Sequence, residues 1–76
     1  MKKSEFEYVV QFIVNQLTMF LIEDNGCSII EALDIIYNSR TYRLLRDKGT
    51  GLYLRSAAYV YEYLKKETNT IFSDDL

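Results

Sequence analysis

Apolar residues recur along most of the chain at the spacing of a helix rather than a strand, and the segments they form are bounded by residues that start or stop helices. At about 100° per residue, the first segment puts Phe6, Val9, Val10, Ile13, Val14, Leu17, Phe20 and Leu21 on one wide stripe, which must be the core face. It is expected to run from about Ser4 to Asp24 and to stop at Asn25-Gly26, where glycine can take the left-handed conformation that ends a helix. Ser4 with Glu7 fits a Ser-x-x-Glu capping box, in which the hydroxyl accepts from a free backbone N–H and the glutamate reaches back to the cap. Ser28 with Glu31 repeats the pattern and opens a second helix to about Asn38. This helix keeps Ile29, Ala32, Leu33, Ile36 and Tyr37 on one arc, with Glu31, Asp34 and Asn38 opposite.

The pattern breaks at Ser39. Arg40 to Lys48 reads as a short third helix ended by Gly49, with Leu44 and Leu45 as its apolar contribution. Thr50 to Arg55 has no helical period and is expected to be a loop. Ser56 caps a last helix to about Glu67, in which Ala57, Val60, Tyr61 and Leu64 share a face while Glu62, Lys65 and Lys66 point away. Residues 68–76 are polar and are expected to be a flexible tail that only Ile71 and Phe72 could dock. Without proline, repeat or linker, residues 1–76 make a single domain, all-α, a compact bundle of about four helices.

A chain of this length buries only about 60% of the surface its unfolded form exposes. At 49% hydrophobic residues, with seven Tyr and four Phe, it carries more apolar area than a small polar-surfaced monomer needs. Small scaffolds without staples often gain stability by association, so a second copy or another protein is expected as partner. The first helix shows where. Opposite its core stripe lies a narrow one, Tyr8, Phe12 and Met19, fenced by Glu7, Gln11, Asn15 and Thr18 on one side and by Glu5, Gln16 and Glu23 on the other. Either another helix of the domain covers it, or it is an interface; Tyr, Phe and Met are enriched at interface cores.

Charge is uneven along the sequence. Arg40, Arg43, Arg46, Lys48 and Arg55 stand against Asp47 alone, while the segments before and after are acidic, for a net charge of −2. A basic third helix after a capped second one invites a helix-turn-helix reading, with Arg40, Arg43 and Arg46 meeting phosphates. The acidic total opposes nucleic-acid binding, and Arg43 can pair with Asp47 at i,i+4. Tyr53, Tyr59, Tyr61 and Tyr63 form a third cluster, either an aromatic edge of the core or a peptide-binding surface.

Candidate chemistry is thin. The chain has no histidine and one cysteine, Cys27, so the groups that carry most proton transfer, nucleophilic attack and soft-metal binding are nearly absent. No catalytic, metal-binding or cofactor-binding residue can be named. Gly49-Thr50-Gly51 lacks the spacing and the Lys-Ser/Thr of a phosphate loop. A single cysteine cannot form an internal disulfide, and no signal peptide or bilayer-spanning segment fits, so a reducing cytoplasm is the expected compartment.

Glu31-Ala32-Leu33, then Asn38 to Leu45, Thr50-Gly51-Leu52-Tyr53, Ser56, Tyr59 to Leu64 and Glu67 together resemble a family of small bacterial helical proteins known only as a domain of unknown function. The resemblance covers about half of the chain. It implies a bacterial cytosolic protein, in some cases encoded beside toxin-like genes, and hence an antitoxin-like or accessory role; it names no functional residue. The expected function is therefore a protein-interaction or regulatory module without catalysis, as a homodimer or with a protein partner. The alternative is a small DNA-binding or autoregulatory helix-turn-helix-type protein.

Overall fold

The two Ser-x-x-Glu sequences do not do the same job. In the computed structural model, which describes residues 2–73 with side chains described from 2 to 68, α1 (Lys3–Asn25) begins one residue ahead of Ser4. Lys2 stands in the extended cap position, and its N–H donates to Glu5 Oε1 at 3.0 Å. Ser4 is thus already helical and cannot turn its hydroxyl onto the free amides, so the expected first capping box does not form. The second one does. Ser28 Oγ accepts from Glu31 N–H at 3.1 Å, and Glu31 Oε1 accepts from Ser28 N–H at 2.8 Å, opening α2 (Ile29–Tyr37). Those bonds hold the Glu31 carboxyl below the usual carboxylate range. Between the two helices Gly26 takes φ 68°, and its N–H donates to Ile22 O at 2.8 Å, closing α1.

Ser39 is the hinge of the next turn. Its hydroxyl donates to Ile36 O at 2.6 Å and accepts from Tyr42 N–H at 3.0 Å, ending one helix while capping the other, α3 (Arg40–Arg46). This helix stops before the expected Lys48, because Asp47 Oδ1 accepts from Gly49 N–H at 2.9 Å and starts a 3₁₀ turn over Lys48–Thr50. Asp47 is therefore not the partner expected for Arg43. Gly51, at φ 69°, leads into a second 3₁₀ turn, Leu52–Leu54, where an open loop is expected from sequence; burial of Leu52 fixes it. Ser56 Oγ accepts from Tyr59 N–H at 3.2 Å at the start of α4 (Ala57–Ser73). This helix continues past the expected end at about Glu67, so the first part of the expected tail is helical, and residues 74–76 lie outside the described residues.

Four α-helices and two 3₁₀ turns, with no strand among the described residues, make the all-α bundle. The long α1 is its axis: α2, α4 and the Leu52–Leu54 turn pack on it, and α3 packs on α4. Phe6, Val10, Ile13, Val14, Leu17 and Leu21 from α1 meet Ala32 and Ile36, Leu45, Leu52, and Val60, Tyr61 and Leu64 in one cluster. Val9 and Phe20 close its edge. Thr18 is buried too, satisfied by donating from its hydroxyl to Val14 O at 2.8 Å. The arc expected for α2 is correct at Ala32 and Ile36, but its two ends, Ile29 and Tyr37, are 61% and 44% exposed and lie outside the buried cluster.

Candidate functional site

The helix that forms the core also carries the most exposed aromatic stripe. Tyr8 is 73% exposed, and Phe12 and Met19 are each 54% exposed. Among the described residues no other element covers them. On an ideal helix they lie nearly opposite Val10, Leu17 and Leu21, so packing the core aims the stripe outward. Beside it the Gln11 side-chain amide donates to Asn15 Oδ1 at 3.0 Å, holding two polar groups along its edge. Ile29 and Ile30, at the start of α2, are further exposed apolar side chains outside this stripe.

The three arginines of α3 have three different fates. Arg46 is bound by the α1 carboxylate of Glu7, Nη1 to Oε1 at 2.5 Å and Nη2 to Oε2 at 2.7 Å. This bidentate pair lowers the Glu7 pKa through hydrogen bonding to the guanidinium and raises that of Arg46. Arg46 is accordingly removed from the expected patch. Arg40 and Arg43 stay exposed and line a groove of about 470 Å³ between α3 and α4, together with Asn38, Thr41, Leu44, Tyr63, Lys66 and Glu67. Among the described residues Arg43 makes no ion pair.

Glu67 closes one end of this groove. Its carboxylate accepts from Arg40 N–H at 2.7 Å, Thr41 N–H at 3.0 Å and Thr41 Oγ1–H at 2.8 Å. Burial pushes its pKa up, but those bonds outweigh burial, and the net shift is downward. The amides at the start of α3 are thereby already occupied by an internal anion. The groove and this carboxylate are absent from the expected sites. One signal was available: at 100° per residue Glu67 falls on the same arc as Val60 and Leu64, and a carboxylate on a core arc requires a partner.

The tyrosines divide as well. Tyr61 is in the core, and its hydroxyl donates to Asp24 Oδ2 at 2.6 Å, tying α4 to the end of α1. Burial raises its pKa, and the Asp24 bond adds to the rise. Tyr53 packs edge-on against Phe6 at 4.9 Å. Tyr59 and Tyr63 are half-exposed, 5.5 Å apart on the outside of α4, with the Arg55 guanidinium 5.2 Å from the Tyr59 ring. Cys27 is half-buried, its thiol 3.7 Å from Leu21 O.

Among the described residues no group of three or more potential metal ligands occurs, and no helix is long and apolar enough to cross a membrane. Among the described residues two surfaces combine several exposed aromatic or basic side chains: an aromatic stripe on α1 and a basic, tyrosine-edged groove between α3 and α4. No protein-family model matches the chain, and neither a curated protein nor a solved structure is similar to it.

Proposed function

We propose that the chain is a cytoplasmic protein-interaction or regulatory module without catalysis, and that the outer face of α1 is its docking surface. The observation that carries this reading is the exposure of Tyr8, Phe12 and Met19 on a helix whose other side is sealed in the core. Aromatic side chains presented on a rigid helix lose little conformational freedom on binding, and Met adapts its shape to a partner, which suits both as interface residues. A second copy or another protein is the partner, and the antitoxin-like role implied by the resemblance to small bacterial helical proteins is one form of such a module. The test is affinity capture from cell extract with the wild-type chain and with Phe12→Asp, both first checked for helical content. Partners, or further copies, retained by the wild type and lost from the variant support the proposal; equal retention sinks it.

A second reading, DNA binding through α2 and α3, draws support from the exposure of Arg40 and Arg43. Against it stand the capture of Arg46 by Glu7 and the occupation by Glu67 of the amides at the start of α3, which are then not offered to a phosphate.

A further inference from the structure

The two exposed surfaces are opposite in charge and share no residue. On α1, Tyr8, Phe12 and Met19 lie between Glu5 and Glu23, with Asn15 and Gln16 beside them and no cation on the same arc. Lys2 and Lys3 are rotated away from the stripe by about 90° or more on an ideal helix. The groove holds Arg40 and Arg43 around Leu44 and Tyr63. Tyr59 and Arg55 continue that basic, aromatic surface along α4. Glu67 weakens it little, because its charge is taken up by the amides and hydroxyl of Arg40 and Thr41.

Pairing α1 with α1 symmetrically has a defect. In a parallel pair Glu5 meets Glu5 and Glu23 meets Glu23. In an antiparallel pair centred on the stripe, Glu5 of one copy meets Glu23 of the other. Either way carboxylates face carboxylates with no cation between them, and like charges across an interface oppose association.

We infer that the groove between α3 and α4 receives the outer face of α1 from a second copy, so that the chain self-associates head to tail. The aromatic stripe enters beside Leu44 and Tyr63, and since Glu5 and Glu23 stand about 27 Å apart along α1, the carboxylate at one end of the stripe meets Arg40 and Arg43, which are one turn apart on α3. A groove of about 470 Å³ is within the range of binding clefts and accommodates inserted aromatic side chains. This inference rests on α1 being the docking face, and it replaces the symmetric homodimer with a contact between unlike surfaces. Since each bound copy still presents one unused surface, growth continues past the dimer, into a ring or an open chain.

The experiment is sedimentation of three full-length proteins up to about 1 mM, where weak contacts still register: wild type, Phe12→Asp and Arg43→Glu. Both substituted positions are exposed, and unchanged far-ultraviolet dichroism checks the fold. The wild type is expected to exceed the mass of a dimer as concentration rises. Each variant alone should associate roughly 30-fold or more weakly, the scale of an interface anchor. Mixing the two variants is the decisive step, because Phe12→Asp keeps an intact groove and Arg43→Glu keeps an intact α1 face. The mixture should give a one-to-one complex that grows no further. A wild type that stays monomeric overturns the inference, as does a mixture that does not associate. Self-association lost in Phe12→Asp but kept in Arg43→Glu would overturn it while leaving the α1 docking face standing. Insensitivity to both substitutions would remove the inference and the docking face together. A salt-sensitive complex with duplex DNA that Arg43→Glu abolishes would make the groove a phosphate site and overturn it too.

Discussion

Arg46 and Glu7, 39 residues apart, meet through two parallel hydrogen bonds of 2.5 and 2.7 Å, so the end of α3 is fastened to the start of α1. A planar guanidinium matches a carboxylate in this geometry in a way that a lysine would not. One of the three arginines read as phosphate contacts is thus engaged in holding the bundle.

That pair is exposed, so its contribution is screened. Arg46→Ala should lower the melting temperature slightly at low salt, with the difference from wild type shrinking as salt is added. Because the Glu7 pKa is depressed in the folded state, the difference is present above the ordinary carboxylate pKa and is lost as pH falls through the lowered value. A salt-independent difference would mean that the aliphatic part of Arg46, rather than its charge, is what matters.

The two serines give a paired test. Ser28→Ala removes a real cap and should cost about 1 kcal/mol, which at this size lowers the melting temperature by roughly 4–8 °C. Ser4→Ala, inside the first turn of α1, should leave the melting curve unchanged. Equal losses at both positions would place the start of α1 at Ser4 after all.

Glu67 should be the most informative carboxylate in the chain. Glu67→Ala leaves two amides and a hydroxyl without their acceptor and should cost about 1–3 kcal/mol, as for other hydrogen bonds to charged groups. Its folded pKa is depressed, so this stabilisation is complete above the ordinary carboxylate value of 4.5 and disappears as pH falls through the lowered one. Thermal melts of both proteins between neutral pH and pH ~2 should converge at the acid end; curves that stay apart would assign the loss to packing.

Arg43 separates the two functional readings. Mixed-sequence duplex DNA should not bind the acidic chain at physiological salt. If it does, each neutralised phosphate contributes about −0.9 to the logarithmic salt slope, and Arg43→Ala should flatten that slope by about one unit. A micromolar or tighter complex that behaves so would establish the DNA reading.

What could be read from sequence was what depends on near neighbours. Ser28 and Glu31 form a closed local unit three residues apart, and Gly26 ends α1 by its own conformational freedom, so both appear where the pattern puts them. The isolation of Tyr8, Phe12 and Met19 from the core stripe was equally legible, since angular position on one helix needs no tertiary information. Ser4 with Glu7 carried the same local pattern, but a partner on another helix took the glutamate, and Lys2 took the cap. Asp47 likewise turned from Arg43 to the amide of Gly49, and Leu52 was folded into a 3₁₀ turn by burial that no period announces. The groove was least legible, because Asn38 to Leu44 and Tyr63 to Glu67 come together only when α3 packs on α4.

The carboxylate over the first amides of α3 also bears on the order in which this chain acquires its shape. At seven residues α3 is too short to persist alone in water, since nucleating a helix costs more than so few bonds return. The acceptor for its first amides, Glu67, lies on α4, so α3 is held only once α4 has packed against it. The groove between α3 and α4 therefore exists only while those two helices are docked, and any opening that detaches Glu67 dissolves the basic helix and the groove together.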